Sequence, residues 1–327
     1  MILSRHSKVL VSVLDWGLGH ASRTSVVVRR LVDRGCSVTL AGSGRSLELL
    51  SADFPDLPVR HLRSFSPRLS GGRWQWLQIA FQTPEFLYRI WREHIEVEKI
   101  ASGLKPDLII SDNRYGVWSR YSRNVFITHQ FHPHIAPGAP RWAERFVSAI
   151  LTFFVRKFDA CLVPDVALGA LSGDLSAPVP KGVVAHCIGV LSRMSFVEFE
   201  RNECGGPVEW LGVVSGPEPQ RSAFAEALIR RFDGLAGRRV VVCADSARAD
   251  CISEGGVEVI GFASASLLKG LMLNSRHIVC RSGYSTIMDL VAVGRLDNSV
   301  ELIPTPGQAE QEFLAERIKN GVCCNIM

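Results

Sequence analysis

Short, mostly apolar runs alternate with amphipathic stretches along almost the whole chain, and that alternation leaves few folds open. In the first half the apolar runs are residues 9–14, 38–41, 57–62, 108–111, 125–128 and 160–163, with helix-like stretches at 23–33, 74–101 and 142–158. The second half repeats the pattern. Strand-like runs stand at 208–214, 239–243, 257–260, 277–280 and 300–303, and helix-like stretches at 224–232, 265–273, 286–293 and 310–319. A strand apolar on both faces must be covered on both faces, and helices on crossover connections do this. The pattern therefore predicts α/β architecture with doubly wound parallel sheets. At roughly 150 residues per domain, a chain of 327 residues predicts two domains. The join is expected in the loop-rich stretch 172–207, which holds Pro178, Pro180, Gly182, Gly205 and Gly206. Set at 185/186, it separates Rossmann-like domains 1–185 and 186–327.

Other classes are excluded by composition. Hydrophobic residues make up 47% and charged residues 21%, which rules out a disordered chain. No apolar run approaches the roughly 18 residues of a membrane span. The run 9–14 has strand length and no small-residue cleavage site, so no signal peptide is expected. There are nine cysteines and no Cys-x-x-Cys pair. Cys36, Cys161, Cys187, Cys243 and Cys280 stand in apolar surroundings and read as small buried hydrophobes in a reducing cytoplasm. The adjacent Cys323 and Cys324 suit neither a zinc site nor a simple bridge. Residues 1–185 carry 23 basic against 15 acidic side chains, a net +8, while residues 186–327 carry 14 against 17, a net −3. A basic first domain reads either as a surface for an anionic or membrane-bound partner or as a plain solvated face. No nucleic-acid partner is expected.

Ligands of doubly wound sheets bind outside the carboxyl ends of the strands, so the loops after strands carry the functional reading. The first is Asp15-Trp16-Gly17-Leu18-Gly19-His20-Ala21-Ser22-Arg23, with two glycines for a tight turn and Ser22 placed to cap a helix. His20 is expected to face the cleft, as a base or as a satisfied structural histidine. A dinucleotide fingerprint would have a third glycine where Ser22 stands, and an acid where Ala41-Gly42-Ser43-Gly44 ends the second strand. Arg45 weakens that objection for a 2′-phosphorylated cofactor without removing it. The second loop begins at Asp112, which either orients His20 or caps a helix. The third, His129-Gln130-Phe131-His132-Pro133-His134, has three histidines but no nearby acid or cysteine to complete a metal set. It reads as a polar acceptor-binding loop, and no metal is expected.

In the second half, Ser215-Gly216-Pro217-Glu218-Pro219-Gln220-Arg221 follows a strand and precedes a helix. So does Arg281-Ser282-Gly283-Tyr284-Ser285-Thr286, with Asp289 further into the helix. Free N–H groups, hydroxyls and the helix dipole at such a junction form an anion site. The last loop, Pro304-Thr305-Pro306-Gly307-Gln308-Ala309-Glu310-Gln311, offers donors and acceptors suited to sugar hydroxyls. Capping and loop chemistry alone is the bland reading of each. Three such loops at one sheet edge weigh against it.

On these residues the chain resembles the GT-B glycosyltransferases grouped with the lipid-linked N-acetylglucosaminyl transferase of peptidoglycan synthesis, glycosyltransferase family 28. Arg281, Ser282, Gly283, Ser285, Thr286 and Asp289 resemble the family's donor motif, and Gln308, Glu310 and Gln311 its sugar-contacting segment. Gly17 and Gly19 before His20 resemble its acceptor loop. His20 with Asp112 resembles the catalytic pair of related inverting enzymes, and His129-Gln130 a polar acceptor-side loop. The resemblance implies two Rossmann-like domains facing a cleft, with no cofactor beyond a nucleotide-sugar donor, such as a UDP-sugar. Ser215, Gly216 and Arg221 join the donor side. The implied reaction is a metal-independent inverting transfer to the hydroxyl of a lipid-linked or glycan acceptor, in the cytoplasm or at its membrane surface. The family's last helix, which crosses back to the first domain, is expected to be lacking in a sequence that runs to Met327. Alternatives are a sugar-nucleotide 2-epimerase of the same fold and a non-catalytic nucleotide-sugar-binding protein. The aromatic stretch 73–92 reads as a long helix packing its stripe on the sheet, with a membrane-interfacial helix as the other reading.

Overall fold

The computed structural model describes residues 4–321 except 17, 64–74, 136–137, 200–203, 246 and 254. The chain divides into two compact units: Met1–Leu191 with Gly307–Glu310, and Ser192–Pro306 with Gln311–Met327.

The first unit runs β1 (Lys8–Val13), α1 (Leu18–Asp33), β2 (Ser37–Gly42), α2 (Gly44–Asp53), β3 (Val59–His61), α3 (Gln75–Leu104), β4 (Leu108–Asp112), β5 (Arg123–Ile127), α4 (Arg141–Val155), β6 (Ala160–Val163) and β7 (Ala185–Cys187). Its seven strands are all parallel, in the order β3-β2-β1-β4-β5-β6-β7. Strand order reverses between β1 and β4, where Val13 pairs with Asp112, so the loops leaving these two strands part at a switch point. Every residue of β4 and five of the six in β1 are buried. That two-sided burial is why these strands read as continuous apolar runs. Leu10, Ala41, Leu62 and Ile109 pack with Val97 of α3 in one such core; each fully buried Leu or Ile side chain contributes roughly 1.5–3 kcal/mol.

The second unit runs β8 (Val208–Val213), α5 (Gln220–Phe232), β9 (Arg239–Val242), β10 (Cys251–Ile252), β11 (Glu258–Ile260), α6 (Ala265–Leu273), β12 (Ser275–Arg281), α7 (Tyr284–Ala292), β13 (Val300–Ile303) and α8 (Ala309–Lys319), whose first two residues group with the first unit. The sheet order is β10-β11-β9-β8-β12-β13, parallel except for the antiparallel edge pair β10–β11. Its switch point lies between β8 and β12. Phe224, Leu228 and Phe232 of α5 fill one core against Val241 and Val279.

Several sequence expectations change. The first unit extends past 185/186 to Leu191, because Ala185–Cys187 adds a seventh strand beside β6. Cys187 ends that edge strand and is exposed, unlike the buried Cys36, Cys161, Cys243 and Cys280. Helix α1 begins at Leu18 rather than at residue 23, so Ser22 lies inside it and does not cap it. Residues 44–53, for which the sequence pattern predicts no element, form α2. The aromatic stripe of α3 packs only in part: Phe81, Tyr88 and Trp91 are exposed, while Phe86 meets Tyr115 edge-on at 6.2 Å. Arg73 and Trp74 of that stretch lie outside the described residues, as do Cys323 and Cys324. No helix among the described residues is long and apolar enough to cross a membrane.

Candidate functional site

Helix α1 starts at once after the loop that leaves β1, which places His20, Arg23 and Thr24 on one face of its first two turns. Asp112 ends β4 on the other side of the switch point. The imidazole Nδ1 of His20 lies 3.2 Å from Asp112 Oδ1. Between and beneath them is Arg23, 1% exposed. Its Nε donates to both oxygens of Asp112, at 3.1 and 2.9 Å, and its Nη2 also donates to Oδ1. The Thr24 hydroxyl donates to Oδ2 at 2.6 Å. Arg23 Nη2 is 2.8 Å from His20 Nδ1, and Arg23 Nη1 is 3.2 Å from His129 Nδ1. Four side chains from α1, β4 and the loop after β5 thus meet around one guanidinium.

Burial would push the Asp112 carboxyl up. The charges and hydrogen bonds of Arg23 and His20 outweigh it and hold the group well below the usual carboxylate range. For His20, burial and then the positive charge of Arg23 lower the pKa, while Asp112 pulls the other way. The start of α1 adds to the disfavour, since a helix N-terminus repels a cation. Both shifts favour a neutral imidazole beside an ionised carboxylate at neutral pH.

The 307–310 stretch groups with the first unit. Glu310, read from the sequence as a donor-side residue, has its Oε1 2.9 Å from His129 Nε2. The Gln130 amide nitrogen lies 3.1 Å from the same ring nitrogen. Burial raises the Glu310 carboxyl, and its hydrogen bond and attraction to His129 more than offset this, leaving it lowered. The three histidines of the loop do not converge. His132 meets the carbonyl of Pro178 at 2.8 Å, and His134 meets Glu144 at 3.3 Å. Of the glycines expected here, Gly19 lies in the first turn of α1, and Gly17 is outside the described residues.

In the second unit, α7 opens directly after β12, with Gly283 as its N-cap. Its first turn holds Ser285, half-buried, and Thr286, buried. Ser282 is fully buried, and its hydroxyl donates to the Gln311 carbonyl at 2.8 Å. Gln311 Oε1 in turn accepts from the Thr305 amide at 2.9 Å. Ser282 and Gln311 therefore tie the loop after β13 to the start of α7. Arg281 has the same bracing task. Its Nη1 donates to the Pro304 carbonyl at 2.8 Å, and its guanidinium lies 3.8 Å over the Phe224 ring. Arg221 donates to Glu218 and to the Ala244 carbonyl, joining the loop after β8 to that after β9. Both arginines, read as donor contacts, direct these hydrogen bonds into the protein. Ser215 and Gly216 follow β8, and Gly216 has φ 106°, a conformation that favours glycine. Asp289, in the second turn of α7, accepts from the Ser192 hydroxyl at 2.6 Å. Its carboxyl is pushed up to about 6 by burial, against the opposing pull of Ser192 and Arg193. Gln308 is half-buried in the 307–310 stretch.

Arg23 and Thr24 were not singled out in the sequence. An arginine in an amphipathic stretch reads as solvated. The available signal was spacing, because positions three and four after His20 share its helix face once the helix begins at Leu18.

No protein-family model and no curated protein sequence matches the chain. Solved structures do. The chain superposes on the glycotransferase of kitacinnamycin with a TM-score of 0.63 and 16% identity, covering 97% of this chain and 84% of that one. For UGT2 of Phytolacca americana, complexed with UDP-2fluoro-glucose and pterostilbene, the values are 0.59, 14%, 96% and 84%. For MurG of Acinetobacter baumannii they are 0.52, 14%, 96% and 83%. These are GT-B proteins, and the chain has their fold, with two Rossmann-like sheets.

Proposed function

We propose that the chain is a metal-independent inverting glycosyltransferase that moves a sugar from a nucleotide sugar, a UDP-sugar by the resemblance to family 28, to an acceptor hydroxyl. The observation that carries this reading is the meeting of His20 and Asp112 at the switch point of the first sheet, 3.2 Å apart. In the reaction, Nε2 of His20 takes the acceptor's proton as the hydroxyl oxygen attacks the anomeric carbon, and the nucleoside diphosphate leaves. Asp112 then steadies the imidazolium through Nδ1–H. Departing negative charge is met by the N–H groups of the first turn of α7, helped by the hydroxyls of Ser285 and Thr286. Asp289 supplies the ribose acceptor. A neighbour named as a glycotransferase and another complexed with UDP-2fluoro-glucose support a donor of this class.

Two measurements test it. A thermal-shift and saturation-transfer panel of nucleotide sugars should show binding of UDP-sugars, and no binding of any nucleotide sugar rejects the reading. With a donor in hand, His20→Ala should lower turnover by roughly 10²–10⁴-fold, the usual range for a general base, and leave donor affinity unchanged. Epimerised UDP-N-acetylglucosamine appearing without an acceptor would favour the epimerase instead.

The acceptor is proposed to be lipid-linked and met at an anionic membrane surface. Helix α4 exposes Trp142, Phe146 and Phe153 along one face, at 64%, 60% and 58% exposure. Arg141 and Arg145 stand exposed beside them and line an open groove of about 640 Å³ with His132 and His134. Apolar rings flanked by cations match the lipid–water boundary. The protein should co-sediment with anionic vesicles at low salt, and a Trp142→Ser, Phe146→Ser variant should lose most of that binding. Equal and negligible binding to anionic and neutral vesicles leaves the face without this role.

A further inference from the structure

The proposed base has two suitors at the same nitrogen. His20 Nδ1 lies 2.8 Å from Arg23 Nη2 and 3.2 Å from Asp112 Oδ1. A ring nitrogen serves only one of them at a time. Arginine has no acceptor and keeps its protons at any ordinary pH. A hydrogen bond from Nη2 therefore needs Nδ1 bare and puts the ring proton on Nε2. A hydrogen bond to Asp112 needs the proton on Nδ1 and leaves Nε2 bare. Only the second form accepts a proton from an acceptor hydroxyl. The shorter contact is the one to arginine, and the carboxylate's other donors come from Arg23 and Thr24.

We propose that Arg23 is a positioning residue that holds His20 of the resting protein in the Nε2–H form, so that base competence requires Nδ1 to exchange its Arg23 contact for Asp112. This rests on the reading of His20 as the base. The exchange is a neutral tautomerisation. One proton leaves Nε2 for solvent and one arrives at Nδ1, with no change of net charge. Arg23 keeps its Nε hydrogen bonds to the carboxylate throughout, so the buried ion pair stays intact. The same guanidinium also meets a second imidazole. His129 Nδ1 lies 3.2 Å from Arg23 Nη1, and Glu310 sits on the far nitrogen of His129. Arg23 thus presents N–H groups to both imidazoles at once. A guanidinium fork does this and a point charge does not.

The test reads the ring directly, with no donor or acceptor present. It therefore stands apart from whether the chain transfers sugar. Long-range proton–nitrogen correlation spectra of the ¹⁵N-labelled full chain distinguish the two tautomers, and the His20 signals are assigned by their loss in His20→Gln. The wild type is expected to show His20 as Nε2–H at pH 7.5. In Arg23→Lys, which keeps a cation for Asp112 but not the fork, the population should move to Nδ1–H. Its imidazole should also titrate higher than in the wild type. Arg23→Met should do the same more fully if it folds. A wild-type ring already in the Nδ1–H form overturns the proposal. So does a folded Arg23→Lys with the wild-type tautomer and titration. If His20→Ala later proves harmless to turnover, the base assignment falls while the tautomer result stands.

Discussion

A carboxylate with no exposed surface persists in a core only where donors surround it, and Asp112 has Nε and Nη2 of Arg23 and the Thr24 hydroxyl. Removing one member of a buried ion pair leaves the other charge uncompensated, at a cost of about 3–5 kcal/mol. Asp112→Ala should lose roughly that much in urea unfolding, whatever its effect on turnover. The sign of its pH dependence follows from the lowered pKa. A carboxyl lowered by folding stabilises the native state above its unfolded value of about 3.9 and loses that stabilisation as pH falls below it. The wild type should therefore show an acid-side loss of stability that Asp112→Ala largely lacks, and parallel acid limbs would contradict this. His20 and Asp112 were legible because each stands just after an apolar run, where ligand loops must be. Arg23 was not, because nothing in a single sequence separates a buried arginine from a solvated one until the helix start is known.

At the scale of the element, α7 shows a cost that its position imposes. Asp289 is half-buried in the second turn, with one oxygen held by Ser192 and its carboxyl pushed up to about 6. A raised pKa means that stability is fully present below the unfolded value and lost as pH rises through about 6. The loss, discounted for partial exposure, is on the order of 2 kcal/mol. Asparagine at 289 still offers Ser192 an acceptor and carries no charge. Asp289→Asn should then melt roughly 4–8 °C above the wild type at pH 8 and close to it at pH 4. An equal difference at both values would show that charge burial is not the cause. The same element explains what the sequence made easy. Strands β6 and β13 and helix α6 have the bounds the sequence predicts, because short β-branched and apolar runs and a capped amphipathic turn announce themselves. Edge strands β7 and β10 have three and two residues, too short for a strand pattern to be read. Helix α2 was hidden by Gly42-Ser43-Gly44, which resembles a loop although Ser43 is the N-cap and Gly44 the first helical residue.

For the whole molecule, the chain crosses between the units after Leu191 and again on either side of 307–310, and each unit has its own sheet and core. The extra residues 186–191 hold no Lys, Arg, Asp or Glu, so the first unit stays basic, at +7 once Glu310 is included, and the second becomes −2. A nucleotide anion binding an acidic unit needs a local donor array, and the start of α7 is the array proposed for it. A ligand stabilises only the state that binds it, by about 2.7 kcal/mol at a hundred times its dissociation constant. UDP at that excess should slow hydrogen exchange in the second unit, most of all in the amides around Gly283–Thr286 and in β12 and β13 beneath them. Strands β1 to β6 should exchange as before, because on the proposed donor site the nucleotide touches the second unit, while His20 and Arg23 lie in the first, which has its own core. Protection confined to the first sheet would move the donor site to the loops around His20, and the two units would exchange the roles proposed for them.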